Sequence, residues 1–295
     1  CAEAIDWSRY AVVGFANSFQ QTMPSMCLAR RIKQACPDVK VVFGGAACEG
    51  VMGIELVRQF PEIDYVFLGE ADLTFPPVVE QILAGKTPEL PPGVVGREGS
   101  GQWSVGSGQW TEREAADGQR REREHQSSAG DSTAESGPPT TDHWPLSTDH
   151  FPPDPESFMV TDMDALPYPD FDDYFARHAA SPLRDDIEAL LFFETSRGCW
   201  WGQKHHCKFC GLNGSTLTYR SKDPRRAVDE LRYLHQRHGA TKACSADNIL
   251  DYRYFNTFLP MFKAAGLDLK YVFEMKCNMT RRQVETLLDC GMGAA

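Results

Sequence analysis

What this sequence lacks narrows the possibilities first. It has no long hydrophobic run: stretches such as Leu190–Phe193 fall far short of the roughly 18 apolar residues that cross a bilayer, and no charged-then-apolar leader opens the chain. A soluble, cytoplasmic protein without a membrane partner is expected. It is short of positive charge, with 41 Asp and Glu against 30 Lys and Arg for a net charge of −11. Nucleic acid is therefore not an expected partner, because that affinity rests on clustered Lys and Arg. It lacks the even cysteine spacing of a small disulfide-stapled domain, although it carries 10 cysteines. Structural disulfides are not expected, and Cys27, Cys36, Cys48, Cys244 and Cys290 read as small buried hydrophobes. Histidine is missing altogether before residue 125.

What is present suits two medium domains: 295 residues, 42% of them hydrophobic. Over residues 1–96, "YAVVGF", "KVVFGG" and "DYVFLGE" are short apolar runs separated by helical periodicity, with Leu28, Ile32 and Ala35 on one face. Buried strands alternating with helices predict a parallel sheet in a doubly wound, Rossmann-like α/β domain. Ligands bind such sheets beyond the carboxyl ends of the strands. The candidates there are Phe15, Asn17 and Ser18, then Gly44, Gly45 and Ala46, then Gly69 and Glu70, although the glycines equally suit plain tight turns. Three strands are few for this fold, so further strands are expected upstream. The chain opens on Cys rather than Met and stops at "CGMGAA", where another strand is due, so it reads as a piece of a longer protein.

Residues 97–150 contain no Ile, Met, Phe, Tyr or Cys and include the near-repeat "GSGQWSVGSGQW". Such a stretch buries too little apolar area to offset its ordering entropy, so 97–160 reads as a disordered linker. A connector follows over 161–185, with "LPYPDFDDYFARH" as a Pro-bounded segment and a short helix. From 186 the βα alternation resumes. "IEALLFFETS" is a strand, and its helix has Asp223 as N-cap, Pro224 at the first position and Gly239 at the end. "TKACSA" is followed by a helix closing at Gly266, and "LKYVFEM" by one that Thr280 and Gln283 open with a capping box. Three βα units over 186–295 predict the first part of a (β/α) barrel.

Barrel active sites lie at the carboxyl ends of the strands. The three loops there place Cys199, Cys207, Cys210, Asp247, Asn248, Glu274, Lys276 and Asn278 around one mouth. In "RGCWWGQKHHCKFC" three thiols have no fourth cysteine nearby. Structural zinc would need a fourth ligand, such as His205 or His206. An iron–sulfur cluster given three thiolates keeps one iron free. The position directly after the first barrel strand favours the cluster, because that loop faces the reaction chamber. Trp200 and Trp201 read as packing over it.

The loop, with an aromatic residue just before its last cysteine, resembles the cluster motif of the radical S-adenosylmethionine superfamily in an expanded C-x7-C-x2-C spacing. Together with "LPYPDFDDYF", "ADNILD" and "FEMKCN", it is similar to the cobalamin-binding maturases of ribosomally made peptides. "VVGFANSFQQ", "VVFGGAACEG" and "DYVFLGEAD" resemble the cobalamin-binding domain of that group. The resemblance implies that Cys199, Cys207 and Cys210 hold a [4Fe–4S] cluster whose free iron binds S-adenosylmethionine. It implies Phe209 near the adenine, with Asp247, Asn248, Glu274 and Lys276 lining the rest of that molecule. Asn17, Ser18, Gly44, Gly45, Gly69 and Glu70 would face cobalamin, bound without a protein histidine. The implied reaction is C-methylation of an unactivated carbon of a precursor peptide, with flavodoxin or ferredoxin as electron donor. Other radical chemistry with cobalamin, and a zinc-bound regulatory module, are the rival expectations.

Overall fold

A computed structural model describes residues 5–97, 103–105, 158–205, 207–208, 210 and 217–293. It divides into two compact units, Cys1–Met159 and Val160–Ala295. In the first, β1 (Val12–Ala16), β2 (Lys40–Gly44), β3 (Tyr65–Phe67), β4 (Val94–Arg97) and β5 (Trp103–Val105) form one sheet in that order. β1, β2 and β3 run parallel, while β4 and β5 each pair antiparallel with their predecessor. Helices α1 (Thr22–Ala35) and α2 (Val51–Gln59) connect the parallel strands, and α3 (Phe75–Leu83) precedes β4.

Side chains alternate across a strand, and the two faces of this sheet bury different partners. Val41, Phe43, Val66, Leu68 and Val95 pack with Met26, Ala29 and Ile32 of α1 and with Ile54 and Val57 of α2. Val42, Tyr65, Phe67 and Val94 pack with Val78 and Ile82 of α3. Both faces are covered, as the doubly wound pattern requires. Cys48 is buried as expected, but Cys36 is half-buried and Cys27 exposed. Cys27 follows Met26 by one helical step of about 100°, which turns it from the sheet face.

The reading of 97–160 as a structureless linker is corrected at both ends, and 106–157 lie outside the described residues. Trp103–Val105 pairs with β4 in the register Val95↔Val105, and Phe158 and Met159 are buried. The Phe158 ring occupies the space left by two missing side chains. A Cβ on Gly69 would overlap it, and one on Gly93, whose φ is +81°, would lie 2.6 Å from it. Gly69, a cofactor candidate from sequence, thus serves a packing contact.

In the second unit β6 (Leu191–Phe193), β9 (Lys242–Ser245) and β10 (Lys270–Val272) form a parallel sheet in the order β10-β9-β6. Between β6 and β9, β7 (Ser196–Arg197) and β8 (Arg220–Ser221) make a two-stranded antiparallel ladder. α4 (Asp172–Ala180), α5 (Pro224–His238), α6 (Phe258–Ala265) and α7 (Arg281–Asp289) complete it. The expected caps are present. Asp223 accepts the Arg225 N–H, Gly239 and Gly266 close their helices in the left-handed conformation, and Thr280 and Gln283 form a capping box. Leu191, Phe193, Ala243, Tyr271 and Phe273 pack against Leu231, Leu234, Phe258, Phe262 and Leu287. Cys290 is buried, Cys244 half-buried. Met292 pairs in parallel with Tyr271, extending the progression beyond the third strand. Lys222 and Glu230, 3% and 2% exposed, form a buried ion pair of 2.7 Å that Arg226 joins at 2.9 Å. Arg226 also donates to the Leu166 carbonyl, tying the connector to α5.

The glycine cradle predicts non-additive stability. Phe158→Ala should cost about 3–5 kcal/mol, and Gly69→Ala should cost much less in that variant than in the wild type. Urea unfolding of the four proteins checks this; equal costs of Gly69→Ala in both would overturn it.

Candidate cofactor site at the carboxyl ends of the strands

The cysteine loop is rooted by a buried carboxylate. Asp247, just past the end of β9 and 2% exposed, accepts the backbone N–H of Thr195 at 2.7 Å and of Ser196 at 3.1 Å, together with the Thr195 hydroxyl. Its own N–H donates to Ser245 Oγ at 2.9 Å. Ionised acceptors of backbone N–H groups make strong contacts, and here they fix where the chain leaves β6. Burial pushes the Asp247 carboxyl from 3.8 up to about 6, and the hydrogen bonds only partly offset that rise. The sequence reading places Asp247 on S-adenosylmethionine. The structure turns its carboxylate inward to hold the loop root.

Beyond the root the chain is clamped on itself. The β7–β8 ladder pairs Ser196 with Ser221, Lys222 N–H donates to the Thr195 carbonyl at 2.8 Å, and Cys199 N–H to the Leu217 carbonyl at 3.3 Å. Gly198, at φ +76°, lies so close to the Thr218 carbonyl that no Cβ would fit. A helical turn follows, in which Gln203 N–H donates to Cys199 O and His205 N–H to Trp201 O, both at 2.8 Å. Gly202 N–H points at Cys199 Sγ, 3.2 Å away, the kind of contact that tunes a metal-bound thiolate.

Cys199, Cys207 and Cys210 are half-buried free thiols. Among the described residues, no three His, Cys, Asp or Glu side chains stand together as a metal-binding group. The three thiols thus share one rooted loop without converging on a common point. His206 and Phe209 lie outside the described residues.

Both tryptophans of the loop reach its neighbours. Trp200 Nε1–H donates to the Leu250 carbonyl at 3.0 Å, and its ring lies 4.8 Å from that of Tyr252. Tyr252 in turn donates to Asn278 at 3.4 Å. Lys276 Nζ sits 3.0 Å from the centre of the Trp201 ring, and the His205 ring is 4.5 Å from it on centroids. The three loops expected around one mouth therefore touch. Glu274 is exposed, Asn248 half-buried, and Glu274 contributes its carbonyl to the Leu250 N–H at 2.8 Å.

At the carboxyl edge of the first unit, Asn17 is fully buried. Its N–H donates to the Gly44 carbonyl at 2.6 Å and its carbonyl accepts Ala47 N–H at 3.1 Å. Its side-chain amide reaches the Phe15 carbonyl and Cys48 Sγ, whereas Oδ1 has no partner. Burial pushes the Cys48 thiol up to about 11. Gly45, at φ +91°, comes so near that a Cβ would lie 2.5 Å from Asn17 O. Ser18 is engaged with Gln21 in a capping box, and Glu70 is half-buried. Sequence reasoning missed Met23, Val51, Met52, Leu73 and Phe75. All are exposed, and all follow the carboxyl ends of β1, β2 or β3. The available signal was apolar residues in or just before helix first turns, where polar ones are usual.

No protein-family model matches the sequence, and no curated protein matches it. Solved structures share its fold. The chain is similar to the radical S-adenosylmethionine methyltransferase TsrM from Kitasatospora setae with cobalamin and a [4Fe–4S] cluster bound. The TM-score is 0.58 at 15% identity over 96% of this chain and 47% of that one. TsrM with tryptophan substrate and a SAM analogue bound gives 0.55 at 16%, over 96% and 47%. The cobalamin-dependent S-adenosylmethionine radical enzyme OxsB with aqua-cobalamin bound gives 0.56 at 12%, over 95% and 34%. The chain spans a third to a half of the length of these structures. At such identities the likeness is one of fold: a mixed α/β protein in which a parallel-sheet unit precedes a unit of βα repeats. No helix among the described residues is long and apolar enough to cross a membrane.

Asp247 predicts a pH signature. Its carboxyl is protonated in the fold but ionised in the unfolded chain between about 3.8 and about 6. The stabilisation this gives is complete below the lower value and is lost as pH rises through the upper one. Against Asp247→Asn, which does not titrate, wild-type stability should fall over that window and level off above it. Urea unfolding of the iron-free chain in half-unit pH steps measures this; a constant difference would overturn it.

Proposed function

We propose that this chain is part of a cobalamin-dependent radical S-adenosylmethionine enzyme that C-methylates an unactivated carbon of a ribosomally made peptide. One observation carries the reading. A loop with three thiols leaves the first strand of a parallel βα unit at its carboxyl end, and that unit follows a doubly wound sheet, the succession of folds to which TsrM and OxsB are similar. The peptide substrate is supported by the sequence phrases around the loop and by nothing more specific.

The residues suit the groups this reading needs. Cys199, Cys207 and Cys210 would hold the cluster as its only protein ligands, leaving one iron open, with Gly202 N–H already directed at the first of them. Phe209, Asn248, Glu274 and Lys276 are the residues assigned to S-adenosylmethionine. Asp247 keeps the loop root in place. In the first unit, the close-packed backbone of Gly45 and Asn17 and the exposed Met23, Val51 and Met52 suit a large, flat, apolar-edged ring. No histidine lies within residues 1–124, so those residues offer such a ring no imidazole. When bound, these groups supply radical hydrogen abstraction and a methyl group. The chain's part is to orient them and exclude water around the reacting carbon. The reading also requires a precursor peptide, a low-potential electron donor such as flavodoxin or ferredoxin, and a cytoplasmic setting.

The test is anaerobic purification of the chain beside Cys207→Ser, with iron, sulfide and zinc analysis and low-temperature electron paramagnetic resonance. About four irons and four sulfides per chain, lost in the variant, with a spectrum perturbed by S-adenosylmethionine, are expected. About one zinc without sulfide would end the reading. With a loaded enzyme, label from methyl-labelled S-adenosylmethionine should enter the peptide; an unlabelled modified product would mean other radical chemistry.

A further inference from the structure

We propose that Lys276 is a positioning residue for the cysteine loop, acting through its charge on the Trp201 ring; its importance for cofactor loading rests on the reading above, whereas the contact does not. The root of the loop is fixed by Asp247 and the β7–β8 ladder, but both act before Gly198 or after Leu217. Between Cys199 and Cys207 the backbone has one helical turn, closed by Gln203 and His205 N–H groups. A single turn is not stable alone. Its position therefore depends on side-chain ties to the rest of the unit: Gln203 Oε1 accepts the Tyr219 N–H at 3.4 Å, and the ties to the neighbouring loops come from the adjacent tryptophans. Trp200 binds the loop after β9 through the Leu250 carbonyl, and Trp201 binds the loop after β10 through Lys276.

The second tie depends on charge. An indole face is the strongest aromatic acceptor of a cation, more so when both partners are partly desolvated, and Lys276 and Trp201 are each half-buried. Among the described residues Glu274, two positions earlier, forms no ion pair with Lys276, whose ammonium meets the Trp201 ring. The tryptophans thus hold the stretch between the first thiol and the other two against both neighbouring loops. With the turn fixed, Cys199 is presented at a set place. Without it, the thiols still share a loop, but each must find its position anew for every cluster loaded.

Hydrogen–deuterium exchange of the iron-free chain tests this directly, comparing wild type with Lys276→Met, Lys276→Arg, Trp201→Leu and the double variant Trp201→Leu/Lys276→Met. Exchange of the amides at 203–205 should be roughly three- to tenfold faster in Lys276→Met, the size of a partly desolvated cation–π contact. It should return close to wild type in Lys276→Arg. The double variant should exchange no faster than Trp201→Leu alone, and peptides from α5 and α7 should not change. Under anaerobic loading with iron and sulfide, Lys276→Met should take up cluster at least threefold more slowly, while Lys276→Arg keeps the wild-type rate. Wild-type exchange in Lys276→Met, or equal exchange in the Met and Arg variants, would overturn the proposal. Zinc in place of a cluster in the wild type would defeat the functional reading and leave the exchange result to decide the contact.

Discussion

A carboxylate buried at the end of the central strand governs this molecule's chemistry. Where β6 stops, the N–H groups of Thr195 and Ser196 point into the protein and need acceptors, because an unpaired buried donor costs about 1–3 kcal/mol. No strand supplies them. Asp247, at the end of the neighbouring strand, takes both, and the strain of keeping a charge there appears as its raised pKa. The cysteine loop inherits its direction from that junction: Thr195 also receives Lys222 N–H, so one residue is held by a carboxylate on one side and by the returning end of the loop on the other. The buried Lys222–Glu230 pair extends the support into α5, since removing either partner would leave a lone buried charge.

The two units make their carboxyl edges by different means. In the first, backbone lies against backbone: Gly45 approaches Asn17 so closely that no side chain fits, and the apolar groups above are exposed. That gives an edge where exposed apolar side chains lie over close-packed backbone. In the second, side chains reach from loop to loop through indoles, a phenol and an ammonium group. Such an edge has shape and polarity at each point, which orientation of a small reactive molecule needs.

The legible parts of this structure are those encoded within one turn of chain. Asp223, Pro224 and Gly239 bound a helix because capping is local, and the Thr280–Gln283 box forms for the same reason. The alternation of β1, β2, β3, β6, β9 and β10 with helices was legible because strands of a parallel sheet are short, largely apolar runs. β5 was not legible. Trp103–Val105 lies in a polar repeat and is a strand only because β4 offers it an edge. Phe158 was missed likewise, since only Gly69 and Gly93, far away in sequence, create its place. At the mouth, topology told which residues gather but not which way they point. Asp247 turns inward and Lys276 turns to a ring because of partners on other strands, and no periodicity records such partners.

The loop's composition narrows what it can hold beyond what its geometry shows. Between Glu194 and Asp223 there is no acidic residue, in a chain with 41 of them, while Arg197, Lys204, Lys208, Arg220 and Lys222 fall inside that stretch. Oxygen donors select hard cations such as magnesium and calcium, whereas thiolates select zinc and iron–sulfur clusters; excluding carboxylates removes the first group from competition. Of these five cations Arg197 and Lys222 are paired with carboxylates outside the stretch, and Lys204 and Lys208 are exposed. Three soft donors on a stretch without acidic residues suit a thiolate-held cluster better than a cation bound through oxygen.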